Sequence, residues 1–300
     1  MKILVTGGTG FIGKALVKTL VGEGHQVTVL SRSPEKVEWL CGPEVAGLGH
    51  LSFLQPEMSF DVIINLAGAP IFDARWSEAR KQLIRESRID LTEQLVACIG
   101  RMTVKPKLLI SGSAIGYYGD QGDQVLTEAS SAHHDFSHQL CADWEAAASR
   151  AAQFGVRVCL MRTGLVIGED GGLLQRMLLP FRLGFGGRLG SGRQWMSWIH
   201  RQDWIRIALM MMADESMQGP YNAVAPNPVT NKQFTCTLAR CLHRPAVFPV
   251  PSFVLKTLLG EMSELVLGSQ RVLPERLLMH GFMFHYQDLE SALRAALARQ

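Results

Sequence analysis

The chain has 300 residues, 47% of them hydrophobic, and carries a net charge of +3. That length and apolar content can bury a large core as one big domain or two smaller ones. The charge is spread without lysine-rich blocks or basic helices, which argues against nucleic acid and against a membrane as partner, and no stretch reaches the roughly 18 uninterrupted apolar residues of a membrane span.

Lys2 to Thr6 (KILVT) is a compact apolar run, as expected of a strand buried on both faces of a parallel sheet. The turn that follows reads Gly7-Gly8-Thr9-Gly10-Phe11-Ile12-Gly13. Gly7 suits the tight turn, Gly10 lets a pyrophosphate approach the backbone, and Gly13 lets the next helix pack closely on the sheet. A helix from Phe11 to Val21 aims its free N–H groups and positive dipole end at that pyrophosphate. Gly7, Thr9, Gly10, Phe11, Ile12 and Gly13 are therefore expected to contact a dinucleotide. The second strand, Gln26 to Leu30, ends in Ser31-Arg32-Ser33, with no acid before Glu35. An NAD site usually places a carboxylate there for the ribose 2′-hydroxyl, so Ser31 and Arg32 predict the 2′-phosphate of NADP(H).

Further elements alternate: a strand Asp61 to Leu66, one long helix Glu78 to Ile99, a strand Lys107 to Ser111, a helix Ser137 to Gln153 and a strand Val156 to Arg162. This alternation predicts an α/β fold, a Rossmann-type doubly wound parallel sheet with its ligand beyond the carboxyl ends of the strands. Past Gly168 the texture changes to a helix from Leu173 to Leu183 and a glycine-rich loop from Gly184 to Arg193. A short strand from Tyr221 to Val224, a helix from Asn231 to Leu242 and prolines at 245, 249 and 251 follow. The expected division is an NADP-binding domain over 1–170, with a return of the chain near 195–225, and a smaller, mainly helical domain over 171–300. Six cysteines without CxxC pairs fit a reducing, cytoplasmic compartment, and the N-terminus lacks the layout of a secretory signal.

The glycine triplet, the turn Asn65-Leu66-Ala67-Gly68 and a Ser-x-x-x-Tyr-Tyr-Gly stretch resemble the extended short-chain dehydrogenase/reductase superfamily. SGSAIGYYGD (111–120), LCADWE (140–145), GSGRQWMSWIH (190–200) and GSQRVLPERL (268–277) are similar to its epimerase-family branch of the bacterial YfcH type. The resemblance spans nearly the whole chain. It implies a small C-terminal domain on the substrate side of a cleft, Leu66, Ala67 and Gly68 against the ribose and pyrophosphate, Arg88 within reach of the cofactor, and Val166 beside the nicotinamide.

Catalysis is where the chain departs from that superfamily, whose active members use a Tyr-x-x-x-Lys pair. Aligning on Glu145 puts Ser137 at the tyrosine and Cys141 at the lysine. An unassisted tyrosine with a pKa near 10 is only about 0.1% ionised at neutral pH. The replacement candidates are Ser113, Tyr117 and Tyr118, at a strand end expected to face the nicotinamide, where a neutral phenol can polarise a carbonyl by hydrogen bonding. Cys141 reads as inert packing. His133, His134 and His138 read as a polar helix start, and no metal is expected. Asp203 is expected to cap a helix. Arg176, Arg182, Arg188 and Arg193, near Trp195 and Trp198, read equally as a clamp for an anionic substrate or as surface arginines beside core tryptophans. The expected function is an NADP(H)-dependent oxidoreductase or nucleotide-sugar-epimerase-like enzyme acting on a small anionic or sugar-like substrate. The rival is a catalytically silent NADPH-binding sensor.

Overall fold

Short apolar runs become strands, and the central ones pair on both edges and bury both faces. In the computed structural model, which describes residues 1–168 and 170–298, seven of them share one sheet: β1 (Lys2–Thr6), β2 (Gln26–Leu30), β3 (Ala46–Leu48), β4 (Val62–Asn65), β5 (Leu108–Ala114), β6 (Arg157–Thr163) and β7 (Gly219–Ala223). All pairings are parallel and the order is β7-β6-β5-β4-β1-β2-β3. The chain runs outward from β1 through β2 to β3, then crosses back to β4. The crevice at the carboxyl ends of β1 and β4 is thus the switch point where such sheets take ligands.

Alternation of side chains builds two cores. Ile3, Val5, Ile64 and Ile110 face α1 (Phe11–Gly22), and the same core includes Trp204, Ile207 and Met211 from a later helix. Leu4, Ile63 and Leu109 face the other layer with Leu95, Ile99 and Ala148. Both faces are covered, which is why these strands read as continuous apolar runs.

The long helix expected over 78–99 is two helices, α2 (Glu78–Glu86) and α3 (Ile89–Arg101). The break has a local cause. The Ser87 hydroxyl turns back to donate to the Ile84 carbonyl at 3.1 Å and accepts the Ala69 N–H at 2.9 Å, and Arg88, the N-cap of the second helix, is stretched to φ −114°. The break fastens the loop after β4 and turns the Arg88 side chain toward it. The next helix, α4, ends at Ser149 (Phe136–Ser149) and continues to Phe154 as a tighter 3-10 turn.

A smaller lobe follows, around α5 (Gly172–Arg182), with Leu174, Leu178, Trp198, Phe234, Leu238 and Leu293 in its core. Between its segments α6 (Arg201–Ala213) packs on the sheet and leads into β7. At the start of α6 the cap is the His200 ring, which accepts the Gln202 N–H at 3.2 Å. Asp203, fully buried, instead accepts the backbone N–H groups of His285 and Tyr286 at 2.9 Å each. Its carboxylate tethers the C-terminal segment, a role different from the expected cap.

Candidate cofactor and active site

The glycine turn after β1 is packed to the backbone. Gly7 adopts φ +68°, and a Cβ there would lie 2.7 Å from the Leu66 carbonyl group. A Cβ on Gly13 would meet the Gly7 carbonyl oxygen at 2.2 Å, so this glycine packs the helix onto the turn itself; Gly8 is the one pressed on the sheet, where a Cβ would meet Val29 at 2.7 Å. Gly10 is the N-cap of α1, with no side chain capping the helix. The N–H groups of the first turn therefore remain available to an anion. Thr9, Phe11 and Ile12 are partly exposed around this turn. The Phe11 ring is seated against Gly168, Gly171 and Gly172, under the Arg201 guanidinium at 4.8 Å.

The opposite wall is the loop after β4. Thr6 donates to Asn65 at 2.7 Å and accepts the Leu66 and Ala67 N–H groups at 3.1 Å, while Asn65 reaches Thr92 and Ser111. These bonds fix Leu66-Ala67-Gly68 directly across from Gly7. Arg88 lies so close under Gly68 that a Cβ there would touch its guanidinium at 2.8 Å. That guanidinium rests on Trp144 and donates to the Ile84 carbonyl at 3.3 Å. Burial lowers its pKa, and among the described residues no carboxylate pairs with it. Arg32, exposed at the end of β2, has no protein partner among the described residues, while Ser31 accepts the Ser33 N–H at 3.2 Å. A desolvated cation and a free cation flank the switch point, and the backbone at Gly7, Gly13 and Gly68 admits no side chain. These residues fit a dinucleotide carrying an additional phosphate.

From this turn a cleft of about 560 Å³ extends to the smaller lobe, lined by Phe11, Phe72, Leu165, Val166, Leu173 and Arg176 among others. Val166 stands in the short strand Leu165–Ile167, paired with Trp198–His200. Arg176 donates to the Phe72 carbonyl at 3.2 Å and to Asp73 at 2.5 Å, joining α5 to the β4 loop. Arg182, Arg188 and Arg193 are exposed and do not line this cleft.

At the end of β5 the three catalytic candidates separate. Tyr118 is fully buried; its hydroxyl donates to Asn222 at 2.7 Å and accepts from Arg162 at 3.0 Å. Burial pushes its pKa up to about 12. It is sealed from the cleft, in contrast to its neighbour Tyr117. Ser113 is buried too, and donates to Glu145 at 2.7 Å. Glu145 takes two parallel bonds from Arg162, at 2.8 and 2.9 Å, so carboxylate and guanidinium neutralise each other inside the protein. Tyr117 is half-exposed, with Arg162 centred 3.4 Å over its ring. The His138 ring N–H donates to the Tyr117 carbonyl at 2.6 Å, and His134 packs on His138 edge-on. Cys141 is buried, and its thiol is pushed up to about 12 by burial and then by the Glu145 charge. Such a thiol stays protonated at neutral pH, the form that is the weaker nucleophile.

The Glu145–Arg162 pair was not assigned a role from the sequence. A lone arginine in the apolar strand VRVCLMR, and a glutamate on a helix face with Leu140, Cys141 and Trp144, are the signals available. A charge on a buried face needs a partner.

A doubly wound sheet with a glycine cradle at its switch point and a small lobe over the strand ends defines a dinucleotide-binding protein of the extended short-chain dehydrogenase/reductase type. The chain belongs to the NAD dependent epimerase/dehydratase family, which residues 3–224 match; residues 250–296 match a domain of unknown function, DUF1731. It is 41% identical to the epimerase family protein YfhF of Bacillus subtilis, over 99% of this chain and 98% of that protein. The crystal structure of human epimerase family protein SDR39U1 (isoform 2) with NADPH superposes with a TM-score of 0.91 at 34% identity, covering 100% of both chains. A nucleoside-diphosphate sugar epimerase from Corynebacterium glutamicum gives a TM-score of 0.77 at 32% identity, over 100% of this chain and 59% of that one.

Proposed function

We propose that this chain is an NADP(H)-dependent oxidoreductase or epimerase-like enzyme of the YfcH type, acting in the cytoplasm on a small anionic or sugar-like molecule. The observation that carries the reading is the ligand-sized cleft that runs from the glycine cradle to Arg176. Cofactor choice rests on Arg32, whose fork of donors suits a 2′-phosphate, and the human relative solved with NADPH supports it. Six free thiols suit a reducing compartment.

Bound in the crevice, NADP(H) would supply the redox chemistry. Gly7, Gly10 and Gly13 let its phosphates meet backbone N–H groups, and Arg88 offers a buried positive charge beside Gly68. Leu66, Ala67 and Val166 exclude water from its inner edge. Tyr117 offers the accessible phenol at the end of β5, where it donates a hydrogen bond to a substrate oxygen; the Glu145–Arg162 pair holds that tyrosine and Ser113 in place. The silent-sensor reading keeps one specific support, since the Ser113 hydroxyl and Tyr118 are committed to protein partners.

The test is a calorimetric NADPH titration joined to NADPH oxidation assays over carbonyl compounds and nucleotide sugars. Binding with turnover that Tyr117→Phe lowers about 10²-fold, a usual cost of losing one polarising donor, supports the enzyme. Tight binding with no turnover across the panel leaves the sensor.

A further inference from the structure

The far end of α5 carries a surface unrelated to the cleft. Leu179, Leu183, Phe185, Val247 and Phe248 are each between 54% and 68% exposed. They form one patch. The Phe185 and Phe248 rings are 6.0 Å apart, the Phe248 N–H donates to the Gly186 carbonyl, and the Arg244 guanidinium donates to the Arg182 carbonyl at 3.0 Å.

Arginines flank the patch. Segments 171–202 and 216–260 hold nine Lys or Arg and no Asp or Glu, whereas the rest of the chain holds 21 and 27; three of the nine meet carboxylates from those other segments, Arg176 with Asp73, Arg201 with Asp170 and Arg240 with Glu290. The net +3 conceals this segregation. Arg182, Arg188 and Arg244 are exposed beside the apolar tips.

We infer that this face docks on the surface of an anionic lipid bilayer. Phenylalanine and leucine on loop tips enter the boundary between headgroups and acyl chains, while arginines around them reach the phosphates. Charge complementarity decides the occupant. A two-fold contact between copies would set the patch against itself and bring like charges together, and an anionic bilayer neutralises them without demanding a shaped counterpart. The inference departs from the expectation of no membrane partner, which rested on the lack of lysine-rich blocks and basic helices, because folding sets Arg182, Arg188 and Arg244 beside the apolar tips. Docking here is peripheral, since no helix among the described residues is long and apolar enough to cross a membrane.

The experiment is co-sedimentation of the full chain with phosphatidylcholine vesicles, with and without phosphatidylglycerol, at low and high salt. The inference expects binding that requires phosphatidylglycerol, weakens as salt rises, and drops about tenfold in Arg182→Glu/Arg188→Glu and in Phe185→Ser/Phe248→Ser, through loss of charge attraction and of inserted area respectively. Melting temperatures of the variants are measured in parallel, and the charge-reversal pair carries the test if the apolar pair is unstable. Absence of vesicle binding by the parent, or variants that bind as the parent does, overturns the inference. Vesicle-independent dimers abolished by Phe185→Ser would reassign the patch to self-association. Retention on polyglutamate without vesicle binding would reassign it to an acidic protein.

Discussion

On the proposed reading, the Arg32 side chain is what separates NADPH from NADH. Arg32→Glu places a carboxylate where the 2′-phosphate would lie, losing a charge-assisted bond worth about 1.5–3 kcal/mol and adding repulsion. NADPH affinity should fall at least about tenfold by that energy while NADH affinity changes little; an unchanged ratio in paired titrations would sink the assignment. Gly13 is constrained by space, because a methyl group there must push against the Gly7 carbonyl. Gly13→Ala should cost about 1–3 kcal/mol of stability, as overpacked sites do, and weaken NADPH binding; a variant with parental melting and binding would show that the turn relaxes. Both positions stand out in the sequence, since each belongs to a contiguous strand-and-turn motif. Tyr117 and Tyr118 were not separable, because adjacent residues differ only in which one the tertiary structure buries.

Elements are joined here by buried polar groups. Glu145 on α4 and Arg162 on β6 are 9% and 4% exposed at the side chain, and removing one partner strands a charge. Arg162→Met should destabilise by about 3–5 kcal/mol, and Arg162→Met/Glu145→Leu should recover much of that, because an apolar pair needs no desolvation of ions. Chemical denaturation of the single and double variants checks this, and additive losses would contradict it. Asp203 joins α6 to the C-terminal segment by two backbone bonds. In Asp203→Ala, hydrogen exchange at His285 and Tyr286 should speed up while β1, β4 and β5 stay protected; uniform change would show that the tether serves the entire fold. The 78–99 helix was misjudged as continuous for a related reason. Its apolar period carries across Ser87, and the bond from Ala69 that makes the break useful comes from another loop.

The molecule as a whole should fail at high pH. Burial raises the Cys141 thiol from 9.0 to about 12 and the Tyr118 phenol from 10.0 to about 12. A group whose folded pKa lies above its unfolded value contributes stability fully below the unfolded pKa and loses it as pH rises through the folded one. Stability should therefore decline from about pH 9 toward pH 12, and Tyr118→Phe should remove part of that dependence. Denaturation curves across the range measure it, and a flat profile would contradict the burial argument.

The sequence by itself determined the sheet, the glycine cradle and the cationic end of β2. These depend on short continuous apolar runs, turn chemistry and the residue that ends a strand, all written in contiguous stretches. Only the tertiary structure decided that Glu145 meets Arg162, that Arg88 lies under Gly68, that Tyr117 stays accessible while Tyr118 is sealed, and that Arg176 alone of four nearby arginines lines the cleft. Those outcomes depend on which distant element covers each side chain. Burial and charge pairing are properties of the packed chain, so no local pattern carries them.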